Sequence, residues 1–147
     1  MADPRHQRLA EVLLHYALGI APGDKLLIVS APPAAPLLRE VYRAALRAGA
    51  HPEAQLEMEG LQELRLRESS DEQLGYLSQV RLWEADYYDA HLRIGAAENT
   101  MALSGVEPRR LALAQRAQAP VRGRLAARTA RKELRRKIGR ASCRERV

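Results

Sequence analysis

The stretch from Lys25 to Met58 limits most tightly what this chain can fold into. Lys25-Leu26-Leu27-Ile28-Val29-Ser30 is a short apolar run. The Pro22-Gly23-Asp24 turn precedes it and Ala31-Pro32-Pro33 follows it. An apolar run of that length between turn signals reads as a strand buried on both faces. Leu37, Leu38, Val41, Tyr42, Ala45 and Leu46 then recur at intervals of three and four, the stripe of an amphipathic helix that closes at Gly49. From His51 to Met58, Ala54, Leu56 and Met58 alternate with polar residues, which predicts a second strand with these three toward the core. Strand, helix and strand in this order form the βαβ unit of a parallel sheet, with a right-handed crossover.

The flanking segments extend the same plan. Asp3-Pro4 supplies an N-cap and a first-turn proline for a helix through Leu9, Val12, Leu13, Tyr16 and Ala17, ending at Gly19. Leu61–Arg67 is predicted helical. Ser70-Asp71-Glu72 opens a further helix through Leu74, Leu77 and Val80, weakened at Gly75. His91–Ile94 reads as a strand, followed by an Ala96–Thr100 loop. Val106-Glu107-Pro108 starts a helix running to about Ala119, which Pro120 breaks. Val121–Lys137 is predicted as a basic helix with Leu125 and Leu134 as its large apolar anchors. The expected fold class is α/β, an open, mostly parallel sheet with helices on both faces. The expected organisation is an α/β domain over 1–120, a basic helix over 121–137 that leads toward a further domain, and a tail over 138–147 unlike the rest.

Composition narrows the function classes. The 147 residues fit one domain, and 46% apolar residues can supply a core. No apolar run reaches the length of a membrane span, and the charged Met1–His6 start is unlike a signal peptide, so a cytoplasmic location without membrane contact is expected. Cys143 is the only cysteine and has no internal partner for a disulfide. The net charge of +6 points toward nucleic acid, but its distribution points away. Val121–Lys137 holds eight Lys/Arg and one Glu, and the tail beyond holds three Arg and one Glu, so Met1–Pro120 carries a net −3. The basic segment also lacks interleaved aromatics, and no nucleic-acid partner is expected.

Candidate chemistry is sparse. His6, His15, His51 and His91 form neither an HxH nor an HExxH spacing. His15 lies among apolar helix positions, where a hydrogen-bonded core or boundary role is expected; His51 precedes Pro52 at a strand start, and His91 opens a strand. Glu84, Asp86 and Asp89 cluster around Trp83, Tyr87 and Tyr88; paired carboxylates can do acid–base work, but a solvated loop is the plainer reading. Glu98, Asn99 and Thr100 follow a strand end, where open α/β sheets place ligand-contacting loops, and are the candidate substrate-cavity or interface residues. The Ser30–Pro36 loop has no glycine and several prolines, and neither GxGxxG nor GxxxxGK[ST] occurs. A small nucleotide-binding α/β module is therefore an alternative on fold alone, and a basic-tailed interaction protein is a second alternative.

Taken as an ordered series, these residues resemble the aminopeptidase T-like (thermophilic leucyl) metalloaminopeptidases. The resemblance rests on Asp3-Pro4-Arg5 with Leu9-Ala10 and Tyr16, and on Pro22-Gly23-Asp24-Lys25. It continues through Pro36-Leu37, Arg47-Ala48-Gly49-Ala50-His51-Pro52, Ala97-Glu98-Asn99-Thr100 and Arg131-Lys132-Glu133-Leu134. It implies an N-terminal α/β domain followed by a larger catalytic domain, in a homodimer that acts on peptide substrates. In that family two divalent metal ions, zinc or cobalt, sit among Glu, His and Asp ligands and serve to bind the attacking water and polarise the scissile carbonyl. The segments that carry those ligands have no counterpart here. No catalytic or metal residue transfers to this sequence, and the chain alone is expected to be inactive.

The final ten residues, Ile138–Val147, resemble something else: the translation, in one reading frame, of a common short-read sequencing adapter. All ten positions fit, and Lys137 is compatible with the codon before it. This reading makes the tail non-native and leaves Cys143 without biological meaning.

Overall fold

The computed structural model describes residues 2–95 and 103–140. A parallel sheet in the order β2-β1-β3-β4 is built from β1 (Lys25–Ser30), β2 (His51–Leu56), β3 (Ala90–Gly95) and β4 (Arg135–Arg140). Helices α1 (Pro4–Glu11), α2 (Ala35–Arg47), α3 (Leu61–Glu68), α4 (Asp71–Gly75), α5 (Gln79–Tyr87), α6 (Pro108–Ala117) and α7 (Ala119–Ala130) connect and cover it. The α/β class with an open parallel sheet is as expected from the sequence.

Local chemistry explains most boundaries. The Asp3 carboxylate accepts the Arg5 N–H at 2.9 Å and Pro4 occupies the first turn, so α1 begins where an orphan donor is satisfied. Beyond Glu11 the helix widens into a π-helical stretch, Val12–Ala17. Gly49, at φ +80°, ends α2; a Cβ there would stand 3.2 Å from the Pro22 side chain, so glycine allows both the turn and the close approach.

Register assigns every strand residue to a face. Leu26, Ile28, Ala90, Leu92 and Ile94 share one face and are essentially inaccessible. They join α1, the π-helical stretch and α2 through Leu13, Leu14, Leu37, Val41 and Ala45 in one aliphatic core. The opposite face, with Leu27, Val29, His91 and Arg93, is covered by α5 and α7. A second, smaller cluster of Leu66, Leu74, Val106 and Ala114 joins α3, α4 and α6.

Three expectations need correction. Ala54, Leu56 and Met58 do not enter the core: β2 ends at Leu56, all three are exposed, and only Pro52 of the strand is buried. The alternation is real, but at this edge α2 covers it incompletely, leaving Ala54 in an open groove beside Leu38, Tyr42 and Leu46. The helix expected from Ser70 through Val80 is two helices. A capping box at Ser70 and Gln73 starts α4, which stops at Gly75, and α5 starts afresh at Gln79. Glu84 and Asp86 consequently lie on α5, not in a loop. The basic helix expected over Val121–Lys137 ends at Ala130; Lys132 turns the chain at φ +60° and Arg135–Arg140 becomes the fourth strand. Leu134 is buried at 1% exposure, but as the residue that seats this strand and not as a helical anchor. Ile138, Gly139 and Arg140 continue that strand and pair with Arg93, Ile94 and Gly95.

Candidate functional site at the switch point of the sheet

From β1 the chain steps first to β2 on one side and later to β3 on the other. The order therefore reverses between β1 and β3, and the crevice outside their carboxyl ends is where open α/β sheets bind ligands. Here the two strands close on each other: the Ala31 N–H donates to the Ile94 carbonyl at 3.2 Å. Ser30 is buried, and its hydroxyl donates to the Ala31 carbonyl at 3.0 Å, so it is already engaged. Pro32, Pro33 and Pro36 lie at or just before the start of α2, and no side chain caps that helix. A phosphate would find few N–H donors there.

Glu98, Asn99 and Thr100 lie outside the described residues.

Beside the crevice, on the α5/α7 face, the Arg93 guanidinium reaches across β1 to Glu57 and donates to both its oxygens at 2.7 and 2.6 Å. Sequence reasoning missed this pair; the signal was Arg93 at a strand position between two inward apolar residues. Both side chains are about half exposed, so the pair contributes on the order of 1 kcal/mol or less.

The carboxylates expected to cluster are held apart. Glu84 accepts from the Gln55 amide at 2.9 Å, Asp86 from Arg124 at 2.7 Å and Asp89 from the Lys25 backbone N–H at 2.9 Å. Each is occupied by a structural partner, and no two share a proton. The aromatic residues among them do assemble: Trp83 stacks on Tyr87 at 4.4 Å, Tyr87 meets Tyr88 edge-on, and the Lys25 ammonium lies 4.8 Å from the Tyr87 ring centre. Tyr88 is buried and donates to Glu53 at 2.6 Å; burial first, and the Glu53 carboxylate second, push its hydroxyl well above the usual tyrosine range.

The histidines do not converge. Of the core and boundary roles expected for His15, it takes the boundary one: it is half exposed, with Nε2 2.8 Å from Glu11. His51 is exposed at the start of β2 and donates its backbone N–H to the Asp24 carbonyl. His91 lies edge-on to Tyr88, with its Nε2 buried and without a hydrogen-bond partner. Desolvation, reinforced by Arg136 and Arg128, pushes its pKa down to about 4. It is neutral near pH 7, and the orphaned nitrogen is a buried polar atom near two guanidinium groups.

Among the described residues no three His, Cys, Asp or Glu side chains are grouped to hold a metal ion. The described residues do not fit a two-metal centre, and no chemical step through a metal derives from them.

A solved structure described as wild-type AmpT from Thermus thermophilus superposes with a TM-score of 0.78 at 20% identity. The match covers 92% of this chain but only 35% of that one, so the chain spans about a third of its solved relative's length. That likeness carries the fold. No curated protein matches the chain. The family model described as thermophilic metalloprotease (M29) matches residues 2–144. The chain belongs to the M29 metalloprotease family.

Proposed function

We propose that this chain is the N-terminal, non-catalytic α/β domain of a metalloaminopeptidase that removes N-terminal residues from peptides. The observation that carries the reading is family membership across 2–144 combined with a span of 35% of the solved relative. A metalloprotease family acts on peptides through metal, and the described residues offer no metal-binding group. The proposed division of labour puts two divalent ions, zinc or cobalt, on residues beyond this domain. The parent enzyme acts in the cytoplasm as a homodimer, and Glu98, Asn99 and Thr100 face its substrate cavity or domain interface. No helix of the described residues is long and apolar enough to cross a membrane.

The nucleotide-binding alternative has less support, because Ser30 is engaged and prolines crowd the start of α2. The basic-tailed alternative also loses ground. Arg124 and Arg128 of α7 are committed to Asp86 and to the Ala85 carbonyl, and Arg135 of β4 to Asp24.

The test is equilibrium dialysis of the chain against zinc and cobalt, paired with turnover of a leucyl chromogenic substrate. The expected result is neither stoichiometric tight binding nor turnover. Metal-dependent turnover by the chain would overturn the non-catalytic reading.

We further propose that Ile138–Val147 derives from a sequencing adapter. Strand pairing of Ile138–Arg140 uses backbone groups that any residue supplies, and the Ile138 side chain is 76% exposed. Both features accommodate side chains never selected for this position. Long-read sequencing across the Lys137 codon tests it: a frame continuing into a ligand-rich domain supports both proposals, and genomic DNA encoding Ile138–Val147 refutes the adapter.

A further inference from the structure

We infer that a cleft between α1 and α2 binds a free α-amino acid in its zwitterionic form. The binding goes beyond the domain reading above and does not depend on it.

Each helix gives the cleft one face. Pro4, Arg8 and Glu11 succeed one another at spacings of four and three along α1, and Glu40, Ala44 and Arg47 do so along α2. The helices pack together, and the small side chain of Ala44 leaves a space of about 380 Å³ between them. That volume admits a small polar molecule. The cleft follows α2 from its middle to its end, whereas the crevice at the switch point adjoins the first residues of that helix. The two sites are separate.

Glu40 is the deep charge. Only 9% of its side chain is accessible. One oxygen accepts from Arg43 at 2.8 Å, and no donor among the described residues meets the other. A carboxylate withdrawn from water is unfavourable until its lone pairs are satisfied. At the rim, Glu11 has His15 on one oxygen at 2.8 Å. The Arg8 and Arg47 guanidinium groups have no partner among the described residues, and both residues are exposed.

Two cations and two anions thus share one space. A simple amine would be repelled by Arg8 and Arg47, and a simple anion by Glu11 and Glu40. A neutral molecule with an ammonium and a carboxylate on one carbon matches both signs. The ammonium donates to the open oxygen of Glu40, and a guanidinium fork takes the carboxylate. The contributions are unequal. Water screens the exposed arginines but not the buried carboxylate, so the ammonium contact dominates. Pro4 and Ala44 offer the ligand's side chain only a short apolar wall, so recognition rests on the main-chain groups. Under the proposed function, and only under it, the ligand is the class of product that the parent enzyme releases.

Nuclear magnetic resonance titration of the isotope-labelled full chain with leucine tests the site. The expected result is one site with a Kd on the order of 1 mM, and shifts centred on the amides of Arg8, Ala44 and Arg47. N-acetyl-leucine lacks the ammonium and should bind at least about tenfold more weakly; leucinamide lacks the carboxylate and should lose about threefold. Glu40→Gln retains the shape and an acceptor for Arg43, and should weaken leucine about tenfold; Arg47→Ala, at an exposed position, should weaken it about threefold. Leucine shifts that are absent, or centred elsewhere, would overturn the inference. So would N-acetyl-leucine or inorganic phosphate binding as tightly as leucine, since the cleft would then be an anion site. Should Glu40→Gln fail to fold, the ligand series and Arg47→Ala decide, and unchanged affinity in Arg47→Ala counts against the site. None of these outcomes measures turnover, so each leaves the aminopeptidase-domain reading as it stands.

Discussion

The two faces of the sheet are built on different principles. Toward α1 and α2, Leu26, Ile28, Ala90, Leu92 and Ile94 meet aliphatic side chains, with exposures at or below 1%. Toward α5 and α7, Leu27 and Val29 share the surface with His91 and Arg93, and a rim of Tyr88, Glu53, Gln55 and Glu84 holds the layer by hydrogen bonds. The first face derives its strength from area removed from water, which depends on shape. The second depends on every polar group keeping its partner, and it contains one that has none, Nε2 of His91.

The largest effect should therefore follow a cavity in the aliphatic face. Leu92→Ala or Ile28→Ala is expected to cost about 3–4 kcal/mol in urea denaturation, a large share of an ordinary domain's stability. A loss under about 1 kcal/mol would show that the face collapses around the cavity and that the contrast between the faces is overstated.

Arg135 is a polar exception on the aliphatic side, with buried Ser30. From β4 its guanidinium donates to the Leu18 and Gly19 carbonyls at 3.2 and 2.7 Å and to Asp24 at 2.7 Å. It latches the last strand to the turn before β1, and Asp24 is only 17% exposed. Arg135→Leu should cost about 2 kcal/mol, because three acceptors lose a charged donor. Arg135→Lys should recover little of this, since an ammonium lacks the planar fork. Full rescue by lysine would show that charge, not the fork, holds β4.

These two predictions differ in how far the sequence foretold them. Ile28 and Leu92 were legible because central strands of a parallel sheet are apolar and periodicity exposes them. The latch was not, because Arg135 lies 111 residues from Asp24 and reads as one more charge in a basic run. The same limit explains the helix wrongly extended to Lys137: composition there favours helix, and the sheet edge offered by β3 overrides it. It also explains β2, whose alternation was correct while its position at the edge was not encoded locally. At the candidate site, the glycine-free loop after β1 was legible. The Arg93–Glu57 and Tyr88–Glu53 pairs were not, since each joins residues more than thirty apart.

His91 gives the polar face a pH signature. Its pKa is near 4 in the fold and near 6.5 when unfolded. Below pH 6.5 the unfolded chain takes up the proton first, so stability is full above that pH and falls toward pH 4. The loss should be on the order of 1–2 kcal/mol, less than the whole shift implies because the ring retains some access to water. His91→Leu should flatten that part of the stability profile, while Leu92→Ala should lower the profile without changing its slope. A wild-type profile flat between pH 6.5 and 4 would mean that the ring protonates in place, and that the orphaned nitrogen finds solvent.

The smallest effect tests the outer corner of the same face. Ile138 follows Arg93 in register on the α5/α7 side, yet it is 76% exposed, and α7 offers it no buried contact. Its only contribution to β4 is the backbone pairing, which a substitution preserves. Ile138→Thr, which retains β-branching, should change the unfolding free energy by less than about 0.5 kcal/mol. If the change exceeds about 1 kcal/mol, the side chain packs in solution. The polar face would then extend over β4 as a continuous layer, and an adapter origin for this residue would lose its structural support.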